Sequence, residues 1–598
     1  MQTGSVSRPI AVALLCSVAL LGAFAASASA VAPGELSSRV LAPWPGLQMA
    51  DGRFPDYLRG NAAGRAGGYD EAMMGYALLQ AGLREGNRPW VEDGLRAVDF
   101  AVTPSDWART HPSVFEQAAV ASAYRLARTR LAGDPAFEGV RGEWEQWLRE
   151  MTPVRLPGLG GYMNKYIVEA VAQLELLRSG LGSSVPGSAL ANRHTVAVRL
   201  RQLVNERLPA VARPYRTRVD GRAAVVLSDP PANPLAYHGL TLGFLARAID
   251  LMGPDAGPAP RKLLREMAEG SYALAAPDGA IAYSGRSQEQ AWAATLTAYG
   301  LESAARVAPP SAARRYRALA DRTLRRVARL QVGGLYGLYI VPALAEDTAL
   351  GARGLDSYAG SVVYTSLASV ALEWDAAAAP AGPRPGRLFA DHNGTAVLGS
   401  GQSTLVAVRH GDVWMALRRC GAGGDDLRYD FGLIGLQVHS PRGWDDVVPP
   451  RPLTKGGADS AGPVLLAGAQ RGMPCGDTVA TEANGTVVMK GGFRAAGGRV
   501  LRRGVTFRFV PVARGARVEW SARRGDRFEL SAFLQRSEGP GPAAGGVESA
   551  NLRTFTRAPV SATFADGYAS GLHANLVRAR MVLRAPRSGP LAVAFEAR

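Results

Sequence analysis

From about residue 68 to residue 376 the apolar positions of the chain recur at spacings of three and four, the signature of amphipathic helices. The segments YDEAMMGYALLQAGLREG, PWVEDGLRAVDFAV, HPSVFEQAAVASAYRLARTRLAG, EGVRGEWEQWLREM and YMNKYIVEAVAQLELLRSGLG follow one another with short breaks. HTVAVRLRQLVNERLPAVA, LAYHGLTLGFLARAIDLMG, APRKLLREMAEGSYALA, SQEQAWAATLTAYGLESAARV, SAARRYRALADRTLRRVARLQ and YAGSVVYTSLASVALEWDA continue the pattern. Many end at Gly or just before Pro, and Pro89 suits a first helical turn. Ala, Gly and Ser recur on the apolar faces, so the helices can approach closely. Short connections imply antiparallel hairpins. No strict solenoid repeat is present. The pattern predicts an α/α toroid, an incomplete ring of helix hairpins, over 68–376.

Near residue 376 the periodicity changes. AAAAPAGPRPG is a linker by composition, assigned to 377–387. Beyond it GTAVLGSG, STLVAVRHG, DVWMALRRC, GTVVMKGGF, VLRRGVTFRFVPVARGARVEWSARRG, FELSAFLQ, VSATFADG and ARMVLRA alternate with period two. Their Gly-containing turns predict an antiparallel β-sandwich over 388–598. The fold class is therefore multidomain, α plus β. A chain of 598 residues has room for several domains.

Residues 1–30 read as a signal peptide. Arg8 precedes the run IAVALLCSVALLGAF, and Ala28 and Ala30 form an A-x-A site. The run is shorter than the roughly 20 residues of a membrane span. Cleavage near Ala30 predicts a secreted or cell-envelope protein without stable membrane insertion, with 31–67 as an N-terminal extension. Cys16 would be lost with the leader. Cys420 and Cys475 remain, and an oxidising location would permit their pairing without requiring it. There is no CxxC or HExxH, so neither a structural zinc site nor any other metal or cofactor is expected. The net charge of +17 rests almost wholly on Arg. It suits an anionic partner, and the sequence lacks motifs for nucleic acid.

Two polar clusters interrupt the helical pattern. Asn233, Tyr237 and His238 stand in NPLAYHGLTLGF, where Asn233-Pro234 reads as a helix entry. Tyr283, Arg286 and Gln288 stand in DGAIAYSGRSQEQAW, where Ser287 and Gln290 read as a capping box and Trp292 as an early helical residue. Asn164 and Lys165 begin a further helix, and Lys is scarce in this chain. Tyr358 begins the last helical segment. If the helices close into a ring, these starts converge on one rim.

NPLAYH, GLDSYAGSVVYTSLASVALEW and GRLFADHNGTAVLGSGQSTLVAVRHGDVWMALRR, together with the domain order, resemble polysaccharide lyases of the heparinase II/III-like or a related group. The resemblance implies cleavage of an acidic, uronate-containing polysaccharide by β-elimination. That reaction needs a group to neutralise the uronate carboxylate, a base for the neighbouring proton and an acid for the leaving oxygen. Asn233 and Arg286 suit the first task, Tyr237, His238 or Tyr283 the others. The sequence does not choose between Tyr and His as base. Asn164, Lys165, Gln288, Trp292 and Tyr358 would bind substrate. Some members carry a metal in the β region, but no ligand set for one is visible here. Two other readings stay open. One is a glycoside hydrolase using carboxylates from Asp70, Glu71, Asp278 or Glu289. The other is a non-catalytic glycan-binding protein of the envelope.

Overall fold

The computed structural model describes residues 31–56, 58, 70–103, 113–151, 163–227, 235–346, 348, 353–355, 360–378, 386–399, 401, 404–420, 431–448, 452, 461–495 and 498–598. The leader, Asn233 and Tyr358 lie outside them.

The first half of the chain is a ring of helices. In chain order they are α1 (Pro33–Leu41), α2 (Asp70–Glu85), α3 (Arg88–Val102), α4 (Val114–Arg130), α5 (Pro135–Glu150), α6 (Met163–Arg178) and α7 (Arg193–Gln202). There follow α8 (Leu235–Met252), α9 (Pro258–Leu274), α10 (Ala291–Arg306), α11 (Pro310–Leu330) and α12 (Ser361–Ala378). The even-numbered helices form the inner ring: α2 touches α4, and contacts continue through α6, α8, α10 and α12 back to α2. The toroid expected from the sequence is present, and its inner helices complete a cycle. Helix α1, from the N-terminal extension, packs on α12 and serves as that helix's outer partner.

The small residues have a visible purpose. A Cβ on Gly75 of α2 would lie 2.7 Å from the Gly94 carbonyl oxygen of α3, so the hairpin can close only because both positions lack one. Aromatic side chains fill the ring's centre: Phe244 of α8 meets Phe115 edge-on at 5.7 Å and Trp374 at 5.6 Å.

Because the inner helices run parallel, their ends collect on two rims. At the C-terminal rim Glu175, fully buried, is bracketed by Arg125 (2.8 Å) and Arg247. Arg84 pairs with Glu373 at 2.8 Å across the α2–α12 junction. This rim is locked by ion pairs. The N-terminal rim carries Asp70, Glu71, Glu116, Asn164, Tyr237, Trp292 and Tyr364.

The second half is two antiparallel sheets. Beyond a small hairpin, β1 (Arg216–Val219) and β2 (Arg222–Val225), a five-stranded sheet takes β3 (Gly394–Leu398), β4 (Leu405–His410), β5 (Val413–Arg418), β6 (Gly432–Ser440) and β7 (Gly443–Val448) in sequential order. A twelve-stranded sheet takes β8 (Val464–Ala467) through β19 (Gly589–Ala597). Alternation along β4 and β5 sends Leu405, Ala407, Trp414 and Ala416 into the toroid's core, and Val406, Val408, Val413, Met415 and Leu417 into the core between the sheets. The smaller sheet is thus a middle layer buried on both faces, and toroid and sandwich share continuous packing. Cys420 and Cys475 form a disulfide that ties the end of β5 to β9 (Gln470–Thr481).

Candidate functional site

The two polar clusters of the sequence do meet. Tyr237, in the first turn of α8, is half-buried. Its ring stands edge-on to Trp292 of α10 at 5.7 Å, and the Arg286 guanidinium lies 5.9 Å from its centroid. Trp292 in turn stacks on Tyr364 of α12 at 6.1 Å. Three neighbouring inner helices therefore contribute one aromatic each to the N-terminal rim, with Arg286 beside the outermost.

The segment that delivers Arg286 is not the helix start that the sequence suggested. Helix α10 begins at Ala291, and Ser287 and Glu289 both adopt left-handed backbone, φ 59° and 60°. The Ser287–Gln290 capping box does not form. Instead the segment doubles back: the Gln288 N–H donates to the Gly285 carbonyl (3.2 Å) and the Glu289 N–H to the Ala282 carbonyl (2.9 Å). Left-handed conformation at non-Gly residues is costly and persists only where surroundings enforce it.

Here three contacts enforce it. Arg326 of α11, itself buried, reaches Glu289 at 2.5 Å and Asp278 at 2.8 Å. The Gln331 amide donates to the Glu289 carbonyl at 3.1 Å. From the sandwich, the Gly571 N–H donates to the Gln288 side-chain oxygen at 3.1 Å. A Cβ on Gly571 would come within 2.5 Å of the Gln288 backbone oxygen, so the loop at 570–574 is seated directly on the segment.

Around Arg326 lies a buried polar cluster that sequence reading missed. Asp446 of β7 accepts from Gln437 of β6 at 2.9 Å. Burial and the charge of Asp278 push the Asp446 carboxyl upward, whereas Arg326 holds Asp278 below its usual range. His573 is half-buried, its Nε2 has no partner among the described residues, and loss of solvent plus the nearby Arg326 charge lower its pKa to about 4. No local signal announces this cluster, because its members come from four distant segments.

Several expected site residues take other roles. His238 is 3% exposed, its Nδ1 accepts the Leu227 N–H at 3.3 Å, and its Nε2–H donates to the Met267 carbonyl at 3.2 Å. Burial lowers its pKa to about 4. Both nitrogens are committed, so this neutral histidine has none to offer a substrate. Tyr283 is buried, donates its hydroxyl to the Leu274 carbonyl at 3.1 Å and meets Trp414 edge-on at 5.3 Å; burial raises its pKa. It seals the domain seam. Trp292, 2% exposed, is a packing residue with no face for a sugar. Gln288 is spent on Gly571. Asn164 is buried and Lys165 exposed at the start of α6. Asp278 and Glu289 are taken by Arg326, which removes them as hydrolytic carboxylates.

At the same rim, Glu71 and Glu116 are 2% and 1% exposed. Burial is the main reason both are pushed up to about 8, with Asp70 adding repulsion to each. Glu116 closes a capping box with Ser113 at the start of α4. Among the described residues no cluster of ligands suits a metal ion.

No protein-family model matches the chain, and no curated protein matches it. Its fold does have solved counterparts. A crystal structure of heparinase III superposes with a TM-score of 0.55 at 12% identity, over 98% of this chain and 89% of that one. An α-1,6-mannanase from Salegentibacter sp. HEL1_6 matches 58% of this chain and 99% of its own, with a TM-score of 0.38 and 11% identity. A sugar epimerase from a ruminal bacterium matches 59% of this chain and 100% of its own, at 0.40 and 13%. The heparinase III likeness fixes the fold as toroid plus β-sandwich across nearly the whole chain. Among the described residues no helix is long and apolar enough to cross a membrane.

Proposed function

We propose that the protein is an exported polysaccharide lyase that cleaves a uronate-containing glycan by β-elimination. The observation that carries this reading is the juxtaposition of Tyr237 and Arg286 at the N-terminal rim. Arg286 binds the uronate carboxylate and withdraws charge from it, which acidifies the adjacent C5–H. Tyr237, as phenolate beside that cation, takes the C5 proton. The electron pair forms the C4–C5 double bond as the C4–O bond breaks, and the tyrosine proton passes to the leaving oxygen. Atoms balance without water. Asn233 stands two residues ahead of helix α8 in sequence and is a second candidate for the carboxylate.

The hydrolase reading fits less well. It requires one carboxylic acid and one ionised carboxylate facing a cleft. Glu71 and Glu116 share the rim, but both are buried and both are raised, and Asp278 and Glu289 are taken by Arg326, which leaves Asp70 alone to supply the ionised partner.

The test is ultraviolet absorbance of the conjugated product on a panel of carboxylated polysaccharides. Tyr237→Phe and Arg286→Ala should each abolish it. Cleavage that yields new reducing ends without the chromophore would replace elimination by hydrolysis.

A further inference from the structure

The far end of the sandwich carries an arrangement that the rim does not use. β13 (Arg527–Gln535) and β18 (Leu576–Arg584) are antiparallel, and their register sets Arg527 directly opposite Arg584. Like charges directly opposite in a sheet are destabilising. The strands continue into two turns that touch. The Gly525 N–H donates to the Ala585 carbonyl at 2.9 Å, the Ala585 N–H to the Asp526 carbonyl at 2.8 Å, and the Arg524 N–H to the Ser588 hydroxyl at 3.1 Å. Arg523, Arg524 and Arg587 sit in these turns. All five arginines are exposed.

The acids nearby are already committed. Asp526, in the first turn, pairs with Arg502 and accepts the Arg523 N–H at 2.6 Å. Glu529, two residues along β13, is buried between Arg471 and Arg580. Among the described residues no ion pair joins either acid to the five exposed guanidinium groups. Strand β18 starts beside the toroid, where Ala574 joins the toroid's core. It ends at Arg584 about 27 Å away at ~3.4 Å per residue. The arginines are therefore remote from the rim.

We propose that this end of the sandwich is a second, non-catalytic binding surface for an anionic polysaccharide chain, formed by Arg523, Arg524, Arg527, Arg584 and Arg587. Guanidinium groups bind carboxylate and sulfate oxygens through paired N–H donors. The choice of a glycan rests on the proposed function: the acidic polymer that the rim would take carries the carboxylate or sulfate groups these guanidinium groups suit. The surface would hold one part of a long polymer while another part occupies the rim.

The experiment measures binding, not turnover, so it separates this inference from the lyase reading. A protein that cleaves nothing but binds through these arginines leaves the surface standing. Polygalacturonate and heparin serve as carboxylated and sulfated probes, and single-stranded DNA as the competing polyanion, each titrated across a salt series. The variant R523S/R524S/R527S/R584S should bind both glycans at least tenfold more weakly near 0.1 M salt. Its log–log salt slope should fall by about 3, at ~0.7 per charge removed. The dispersed control R130S/R199S/R329S/R442S should lose less than threefold. Equal losses in the two variants would overturn the proposal, as would DNA binding through the same arginines as tightly as either glycan. If the fourfold variant fails to fold, arginine-selective labelling of the wild-type protein answers the same question. Bound polygalacturonate should shield Arg523, Arg524, Arg527 and Arg584 at least fivefold, and unchanged labelling would refute the surface.

Discussion

Arg326 meets Glu289 at 2.5 Å inside the seam between toroid and sandwich, where neither side chain is more than 6% exposed. The pair holds a non-Gly residue in left-handed backbone three positions after Arg286. It therefore links the buried charge cluster to the placement of the arginine beside Tyr237.

Breaking that pair should be expensive. Arg326→Met leaves Asp278 and Glu289 without their cation in a place from which water is excluded. Removing one partner of a buried ion pair typically costs about 3–5 kcal/mol. The urea midpoint of R326M should fall accordingly. Glu289→Gly relieves the backbone but leaves Arg326 with Asp278 alone, and it should also lower the midpoint. An R326M midpoint within error of wild type would mean the seam is solvated.

Tyr237→Phe removes one hydroxyl from a half-buried ring whose packing on Trp292 is kept. Thermal unfolding should shift by no more than a few degrees, while ultraviolet product formation falls by three orders of magnitude or more. Arg286→Lys keeps the charge but loses the planar fork. It should raise KM for a uronate polymer more than it lowers kcat. Full activity in Y237F on a confirmed substrate would end the assignment.

His238→Ala should behave in the opposite way. It strips hydrogen-bond partners from the buried Leu227 N–H and Met267 carbonyl, at about 1–3 kcal/mol each. Stability should drop markedly, and the protein that stays folded in the cold should still turn over substrate. Loss of activity at unchanged stability would restore His238 as a chemical group.

These contrasts show what the sequence could reveal. Helix and strand periodicity reports which faces are apolar, and that is local, so the toroid and sandwich were both legible. The rim was legible too, because helix starts bearing Tyr237 and Trp292 must gather wherever inner helices run parallel. What stayed hidden depends on partners distant in sequence. Ser-Gln-Glu-Gln reads as a helix cap until Arg326 and the Gly571 loop force Ser287 and Glu289 out of the helix. His238 reads as a catalytic group until Leu227 and Met267 claim both its nitrogens. Helix α1 reads as an extension until α12, at the other end of the toroid, packs against it.

Stability should fall on both sides of neutrality, through different residues. His238 and His573 have folded pKa values near 4, below the ordinary histidine value of 6.5. The unfolded chain therefore takes up protons first, and stability drops as pH falls from about 6.5 to about 4. Glu71 and Glu116 have folded values near 8, above the ordinary glutamate value of 4.5. There the folded state holds the extra protons, so stability drops as pH rises from about 4.5 to about 8. Glu71→Gln and Glu116→Gln should gain stability relative to wild type at pH 8 and gain little at pH 4.5. Urea titrations at several pH values measure both limbs. Identical pH profiles in wild type and E71Q/E116Q would show that these carboxyls ionise freely.

The disulfide supplies the last prediction. Cys420 and Cys475 are separated by 55 residues, so the bridge closes a long loop of the unfolded chain. The chain-entropy relation gives about 4 kcal/mol for a loop of that length. The bridge joins the five-stranded sheet, which touches the toroid along its face, to the twelve-stranded sheet, which meets it through Tyr568 at the end of β17 (Val560–Tyr568) and the loop that follows. Reduction should therefore loosen the outer sheet first. In Cys420→Ser/Cys475→Ser, hydrogen exchange should rise in β9 and its neighbour β10 (Val487–Arg494) before it rises in α8 or α10. Tyr237 and Arg286 should keep their contact, and activity below the unfolding transition should survive. Simultaneous loss of protection in β9 and α8 would show instead that the sandwich and the toroid unfold as one cooperative unit, with the middle sheet transmitting the damage.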